Sequence, residues 1–257
     1  MVETEQFDEH AAMQLLSRAE ALEEELMAAR AVQRFLLPPE LQTEGRYTLR
    51  HLYQPLHHVG GDFVDTAIRA DGTVALLIAD VSGHGVAAAL STALIKTSFM
   101  RHAGDAGGPA ELLADIHRDL EGLMRFGRFI TAEAIILHGD HGVLASAGHP
   151  LPLLLRGGKV TDLDLPTGMP LLAGDGPLPE ESRIELLPGD HLMLYTDGLV
   201  EAQRIDGDRT DVSVVIKALE CLLGQPGTDM PRDLYEGLLF GDMNFTDDVA
   251  IVDVAVS

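Results

Sequence analysis

Short apolar segments alternate with amphipathic ones along most of the chain, and this alternation limits the folds that the sequence can adopt. The segment TVALLIADV at 73–81 is almost continuously apolar and is short enough for a buried strand. Residues 85–103 and 109–126 follow with the spacing of two successive helices. Strand patterns then fill residues 130–163, where the glycine pair at 157–158 indicates a hairpin. The pattern predicts an α+β fold in which antiparallel sheets are covered by helices.

The C-terminal third of the chain repeats this alternation. Residues 190–202 predict a strand that ends in an acidic turn, and residues 212–224 and 231–240 predict two helices. A closing strand is predicted at residues 247–257. Cys221 is the one cysteine of the chain, which excludes an internal disulfide and indicates a reducing compartment. It lies in an apolar helical pattern, and we expect it to be buried.

Residues 1–39 are predicted to form a long helix ahead of a domain that spans residues 40–257. Pro38 and Pro39 end the helix, and polar Gln33 interrupts its apolar seam. The remaining seam positions follow a heptad spacing and are Leu15, Ala19, Leu22, Leu26, Ala29 and Leu36. Such a seam is compatible with an amphipathic helix that lies on its own domain. We favour the alternative, a coiled coil that joins two copies of the chain into a homodimer.

The charge balance narrows the classes of partner. The net charge is -23, with 41 acidic and 18 basic side chains, which argues against binding to nucleic acid or insertion into an anionic membrane. No apolar run approaches the roughly 18 residues that a membrane span needs. The polar N-terminus is unlike a secretory signal, so a cytoplasmic location is expected. The acidic excess fits a site for divalent cations, although an acidic surface alone would explain it as well.

Aspartates recur where predicted strands begin or end. They are Asp62 and Asp65 in GGDFVD, Asp80 in LLIADVSGHG, Asp197 in LMLYTDGLVEA, and Asp247 and Asp248 in FTDDVAIV. Carboxylates at the ends of buried strands are costly unless a positive charge neutralises them. No Lys or Arg occurs within four positions of Asp80 or Asp247. Aspartate is also a common turn former, but its recurrence at four boundaries favours a shared site for Mg²⁺ or Mn²⁺.

Other interpretations of individual motifs are weaker. GGDFVD at 60–65 is similar to a cyclic-dinucleotide synthase signature, but that signature needs an acidic residue where Phe63 stands. DGDRTD at 206–211 lacks the glycine and the final glutamate of a calcium loop. HGDH at 138–141 places two histidines across a probable hairpin turn, where exposure is expected. No set of cysteines and histidines is present to hold zinc.

Five ordered motifs together resemble a known family. VGGDFVD, IADVSGHGVAAAL, SAGHPLPLLLRGG, LYTDGLVEA and TDDVAIV resemble the PPM-type metal-dependent protein phosphatases (protein phosphatase 2C-like). More narrowly, they resemble the bacterial sporulation and stress-response branch, which controls partner-switching sigma-factor pathways. The resemblance covers roughly residues 25–257. It implies an α-β-β-α sandwich of two antiparallel sheets, and hydrolysis of phosphoserine or phosphothreonine on a partner protein, an anti-sigma-factor antagonist.

The resemblance also implies the residues of a two-metal centre for Mn²⁺ or Mg²⁺. By position the metal ligands would be Asp62, Asp80, the backbone carbonyl of Val81, Asp197 and Asp247, with Asp65 and Asp248 as weaker candidates. His84 is a candidate for protonating the leaving oxygen, whereas His149 is expected to be structural. Two such cations about 3.5–4 Å apart can share a water and lower its pKa towards about 7. The resulting hydroxide attacks phosphorus, so no nucleophilic side chain is needed.

A second function remains open at this point. A catalytically idle protein of the same fold could bind its partner in a partner-switching pathway without hydrolysis. The presence of all four principal aspartates favours the enzyme. Between LYTDGLVEA and TDDVAIV the chain lacks the phenylalanine–glycine turn that is usual in the family, so substrate contacts in that segment are not carried over.

Overall fold

Two large sheets and five helices make up the part of the chain that the structure describes. The computed structural model describes residues 9–124, 127–174, 176–177, 179–204, 210–225 and 227–257. The helices are α1 (Glu9–Arg34), α2 (Val86–His102), α3 (Pro109–Glu121), α4 (Val212–Leu222) and α5 (Met230–Phe240). The strands are β1 (Leu41–Glu44), β2 (Tyr47–Gln54), β3 (Asp62–Ile68), β4 (Val74–Val81), β5 (Ile130–Leu137), β6 (His141–Ala147), β7 (Leu153–Arg156), β8 (Lys159–Asp162), β9 (Thr167–Gly168), β10 (Ser182–Glu185), β11 (His191–Tyr195), β12 (Gln203–Arg204), β13 (Met243–Asn244) and β14 (Val249–Val256).

Twelve of the strands form two large sheets of different order, and β12 pairs with β13 in a separate two-stranded sheet. The first sheet has the order β1-β2-β14-β11-β7-β8, and the second has the order β10-β6-β5-β4-β3 with β9 beside β6. The β6–β9 pair is parallel, and the other pairs in these sheets are antiparallel. The predicted glycine hairpin joins β7 to β8, with Arg156 opposite Lys159. Gly157 and Gly158 have φ of 58° and 81°, which suits glycine in a two-residue hairpin turn.

Three apolar clusters define four layers. One cluster lies between the two sheets and contains Leu76 and Val252. A second joins α2 and α3 to the second sheet and contains Phe99, and a third joins α4 and α5 to the first sheet through residues such as Leu219 and Ile251. The predicted α-β-β-α sandwich is therefore confirmed. Among the described residues, no helix combines the length and apolar character that crossing a membrane would require.

Strand β4 is buried on both faces, which explains its continuous apolar run. Leu76 and Ile78 belong to the cluster between the sheets, whereas Leu77 and Ala79 belong to the cluster under α2 and α3. Side chains alternate between the two faces of a strand. Asp80 continues the series of Leu76 and Ile78, so it lies on the face that looks towards the first sheet.

The N-terminal helix α1 is largely exposed. Leu15 and Leu22 are 67% and 57% exposed. The helix ends at Arg34, shortly before the Pro38–Pro39 pair, as the sequence predicts. Its one buried side chain among those described is that of Gln33, near its C-terminal end. Pairing of two copies through this helix stays a prediction.

The predicted burial of Cys221 is wrong. The thiol lies on α4 and is exposed. Helix α4 buries Val215 and Leu219 against the first sheet. Residues of a helix advance by about 100° each, so Cys221, two positions after Leu219, faces away from the buried side.

Candidate metal centre

The pairing of β3 with β4 places two aspartates directly opposite each other. Asp62 is the partner of Asp80 in the antiparallel register, just as Val64 is the partner of Ile78. Val64 and Ile78 belong to the cluster between the sheets. Directly opposed residues of an antiparallel pair have Cβ atoms about 4.5–5.5 Å apart. The register therefore fixes two neighbouring carboxylates at one end of the layer between the sheets.

The end of β11 connects this pair to the first sheet. Thr196 Oγ1 donates a hydrogen bond to Asp62 Oδ2 over 2.7 Å and accepts one from the Ala250 backbone N–H over 2.8 Å. Asp197 follows and opens a 3-10 helical turn, Asp197–Leu199. A carboxylate from the first sheet thus arrives beside the two from the second.

Asp248, which directly precedes β14, holds in place the loop that contains Gly60 and Gly61 (the glycine loop). Asp248 Oδ1 accepts a hydrogen bond from the Leu56 N–H over 2.8 Å, and Asp248 Oδ2 accepts one from the Gly61 N–H over 2.7 Å. Asp247 Oδ1 accepts from the Asp248 N–H over 2.8 Å. Asp248 therefore uses both carboxylate oxygens to position the backbone that leads into Asp62.

Gly61 is required by close packing. A Cβ atom at this position would lie 2.7 Å from the backbone carbonyl oxygen of Val81 and 3.2 Å from the Cβ atom of Ala88. The Val81 N–H donates to the Gly61 carbonyl over 3.2 Å. The glycine loop, the end of β4 and the start of α2 are consequently in contact. This contact brings the Val81 carbonyl, the predicted backbone ligand, close to Asp62. We call Asp62, Asp80, Asp197 and Asp247 together the acidic group.

Burial, and after it the neighbouring like charges, raises the pKa values of Asp62, Asp80 and Asp197. Burial, and then the neighbouring Asp80, raise the pKa of Asp62 well above its usual range. Burial, followed by Asp197 and Asp247, raises the pKa of Asp80 to about 7. Burial also raises the pKa of Asp197, with Glu201 as the next cause. In the described part of the chain no Lys or Arg forms an ion pair with these carboxylates.

Asp65 does not join the group. It lies three positions after Asp62, and an odd spacing on a strand directs the two side chains to opposite faces. Its Oδ2 atom is 2.7 Å from Nζ of Lys96 on α2. The carboxylate is 2% exposed. Asp65 therefore forms a buried ion pair beneath α2, at a place where it cannot share an ion with Asp80.

The predicted donor set would suit hard divalent cations. It consists of oxygen atoms alone, from Asp62, Asp80, Asp197, Asp247 and the Val81 carbonyl, and such ligands suit Mg²⁺ and Mn²⁺. Among the described residues, no three or more His, Cys, Asp and Glu side chains are grouped so that they could hold an ion as they stand. Uncompensated carboxylates repel each other, so coordination would require the side chains to turn inward around the cation.

Similarity to known proteins shows the family of this chain. A protein-family model described as Stage II sporulation protein E (SpoIIE) matches residues 70–257. The chain belongs to the SpoIIE family. Phosphoserine phosphatase RsbU of Bacillus subtilis (strain 168) is 25% identical over 237 residues, which cover 90% of this chain and 70% of RsbU. The predicted resemblance to the sporulation and stress-response branch of the PPM-type phosphatases is thereby confirmed.

Solved structures share the fold of this SpoIIE-family chain. The PP2C domain of SiaA from Pseudomonas aeruginosa has a TM-score of 0.80 at 22% identity, over 93% of this chain and 99% of that domain. The catalytic domain of the serine/threonine phosphatase PstP, in complex with two manganese ions, has a TM-score of 0.58 at 22% identity, over 82% of this chain and 97% of the PstP chain. At these identities the likeness establishes the fold.

The histidines of the SpoIIE-family chain occupy different environments. His84 is exposed in the loop between β4 and α2, where its ring lies 6.2 Å from that of His57 in an edge-on arrangement. His149 is buried, its Nδ1 atom lies 3.0 Å from Thr131 Oγ1, and burial lowers its pKa to about 3. His84 is therefore open to solvent, whereas His149 stays neutral inside the fold. His57 was not singled out from the sequence.

The two histidines of the HGDH motif contact each other at a turn. His138 and His141 flank the turn between β5 and β6, and their rings stack with centroids 4.5 Å apart. Residues 206–209 of the DGDRTD segment lie outside the described residues.

Gln33 contacts the glycine loop from the N-terminal helix. Its Nε2 atom donates to the Gly60 carbonyl over 2.7 Å, and its Oε1 atom accepts from the Gly60 N–H over 3.2 Å. The Tyr53 hydroxyl donates to the same Oε1 atom over 3.1 Å. Sequence analysis gave Gln33 no such role. The one signal was a polar side chain at a seam position that should otherwise be apolar.

Proposed function

We propose that this SpoIIE-family chain is a metal-dependent protein phosphatase that hydrolyses phosphoserine or phosphothreonine on a regulatory partner protein. The observation that carries the proposal is the register-fixed pair of Asp62 and Asp80, which further aspartates adjoin and which forms no ion pair with Lys or Arg in the described part of the chain. Family membership and the similarity to a phosphoserine phosphatase, RsbU, support the same reaction. The partner we propose is an anti-sigma-factor antagonist, in line with the stress-response branch.

Five oxygen ligands of the site would bind the catalytic cations. Asp62, Asp80, Asp197, Asp247 and the Val81 carbonyl would hold two divalent cations, Mn²⁺ or Mg²⁺. When bound, such cations activate a water for attack on phosphorus and offset the charge of the phosphoryl oxygens. The manganese ions in the related fold of PstP support this choice.

Neighbouring side chains orient the ligands and supply a proton. Thr196 fixes one oxygen of Asp62 through its hydroxyl. Asp248 fixes the glycine loop through both carboxylate oxygens. His84, which is exposed in the loop between β4 and α2, would protonate the serine or threonine oxygen as the phosphorus–oxygen bond breaks.

Hydrolysis of an aryl phosphate by the purified chain tests the proposal. Turnover is expected with Mn²⁺ or Mg²⁺ and is expected to disappear with EDTA. Asp80→Asn should lower kcat/KM by more than about 100-fold, because it removes a ligand charge. Asp105→Asn, an exposed aspartate between α2 and α3, is the matched control and should retain activity.

Calorimetric titration with Mn²⁺ distinguishes an active enzyme from a catalytically idle protein that still binds metal. Binding without turnover, abolished by Asp80→Asn, would favour the idle binding protein over the enzyme. Turnover that Asp80→Asn leaves unchanged would refute the assignment of the metal centre.

A further inference from the structure

Within the described ranges of this strongly acidic protein, Arg128 is a cation without a partner. The chain carries 41 acidic side chains against 18 basic ones. Even so, among the described residues Arg128 takes part in no ion pair, and its Nη1 atom is shielded from solvent without a hydrogen-bond partner. Buried donors are normally paired, so an unpaired guanidinium nitrogen calls for an explanation. Binding of an anionic group to this nitrogen would supply one.

Arg128 places this nitrogen against the loop that follows Asp80 and Val81, two of the proposed metal ligands. A Cβ atom at Gly83 would lie 3.8 Å from Arg128 Nη1, and Gly83 follows the Val81 carbonyl by two residues. The adjacent residue Phe129 is fixed to the same loop. Its N–H donates to Ser82 Oγ over 3.0 Å, and its carbonyl accepts from the Ser82 N–H over 3.0 Å. The backbone that carries Arg128 is therefore held against the loop that leaves the metal ligands.

An apolar groove continues outward from Arg128. We call it the α2–α3 groove; it has a volume of about 340 Å³ and is lined by Ala87, Leu90, Ser91, Leu94, Leu123, Met124 and Arg128. Leu90 is 67% exposed and Leu123 is 62% exposed. Clusters of exposed apolar side chains mark interaction surfaces more often than chance. The groove thus combines an apolar wall with one unpaired cation at the end nearest the carboxylates.

We propose that Arg128 and the α2–α3 groove form the docking site for the phosphorylated segment of the substrate protein. The guanidinium binds phosphoryl oxygens, for which its planar pair of donors is suited. The groove receives aliphatic side chains that flank the phosphoserine. This inference rests on the proposed phosphatase function and adds to it a preference for phosphoserine within an apolar sequence.

Charge complementarity favours a phosphorylated segment over an uncharged one as the ligand of the α2–α3 groove. A phosphoserine carries a charge of about -1.5 to -2 at neutral pH, and a protein of net charge -23 repels it except where a cation is free. The groove leads from solvent to that cation, and the cation borders the loop that follows the proposed ligands Asp80 and Val81. An uncharged apolar segment would leave Arg128 unpaired, so it fits the site less well.

The first experiment tests Arg128 with small anions. In the full chain with Mn²⁺, Arg128→Gln should raise KM for p-nitrophenyl phosphate and Ki for inorganic phosphate by about 10- to 100-fold. Arg128→Lys keeps the charge and should recover part of the loss. Arg101→Gln, on the far end of α2 with a side chain 69% exposed, is the matched control. Thermal unfolding of each variant confirms that it is folded.

The second experiment tests the groove with two phosphoserine peptides of equal length and charge. One carries leucines on both sides of the phosphoserine, and the other carries serines. Wild-type protein should favour the leucine peptide by about tenfold in kcat/KM. Leu90→Ser should remove most of that preference. Leu41→Ser, at an exposed leucine of β1, should keep it.

A binding measurement separates this inference from the proposed function. Fluorescence anisotropy with the leucine peptide, bearing a non-hydrolysable phosphonate in place of the phosphate, reports docking without turnover. Binding that weakens in both Arg128→Gln and Leu90→Ser supports the docking site even if no phosphate is released. Turnover and binding that neither substitution changes would overturn the docking site and leave the phosphatase intact.

Discussion

Glu133 offers a test of how burial controls stability in this fold. It lies on β5 and is fully buried, and neither carboxyl oxygen has a hydrogen-bond partner among the described residues. Its strand neighbours across the sheet are Ile78 and Ser146. Ile135, two positions further along β5, belongs to the cluster between the sheets, so Glu133 faces the same layer. Burial raises the pKa of Glu133 well above its usual range.

The direction of the pH effect follows from this shift. Above the pKa of an unfolded glutamate, about 4.3, the unfolded chain loses the proton while the folded chain keeps it. Folding stability therefore falls as pH rises from the unfolded to the folded pKa, and it levels off beyond the folded pKa. The loss is about 1.4 kcal/mol for each pH unit between the two values. Glu133→Gln keeps the shape of the side chain and cannot titrate.

Denaturant unfolding of wild type and Glu133→Gln at pH 5, 6, 7 and 8 measures the effect. The variant should gain stability relative to wild type by about 1.4 kcal/mol per pH unit inside the window. Glu220→Gln, at an exposed position of α4, controls for the amide substitution itself. A difference between wild type and Glu133→Gln that stays constant from pH 5 to pH 8 would refute the reasoning.

Two further predictions concern single polar contacts. His191 Nδ1 lies 2.9 Å from the buried carboxylate of Asp253, which raises the pKa of His191. Stability from this pair is present below about pH 6.5 and is lost as pH rises through the folded pKa, so His191→Asn should cost more stability at pH 5.5 than at pH 8.5. Equal costs at both pH values would contradict this. Thr196→Val removes the hydroxyl that donates to Asp62 and accepts from a backbone N–H, and it should cost about 1–3 kcal/mol in denaturant unfolding. Thr196→Ser keeps the hydroxyl, so an equal loss there would show that the hydrogen bonds are not responsible.

Local patterns were sufficient for most of the secondary structure. The continuous apolar run of β4, the glycine pair between β7 and β8, and the prolines after α1 each act over a few neighbouring residues. Such signals depend on side-chain period and on the backbone freedom of glycine and proline, which a single sequence contains in full. The two helical pairs and the closing strand were predicted for the same reason.

The membership of the acidic group depended on the register of the sheets. Asp62 and Asp80 are joined by the β3–β4 pairing, and Asp65 is excluded because it faces α2. Strand period alone would have separated Asp62 from Asp65, since their spacing is odd. The odd spacing is visible in the sequence, but it separates the two aspartates only if both lie on one strand. That became known when the structure showed that β3 begins at Asp62.

Other features required the complete tertiary structure. Gln33 bonds to a backbone 27 positions away, and Arg128 lies against a loop more than 40 positions earlier in the chain. The exposed face of Cys221 depended on which side of α4 meets the sheet. Thus the sequence by itself determined the elements and the kind of chemistry, because period, turn residues and carboxylate content are local properties. Only the tertiary structure decided which side chains meet and which stay unpaired, because burial and hydrogen bonding depend on segments distant in the chain.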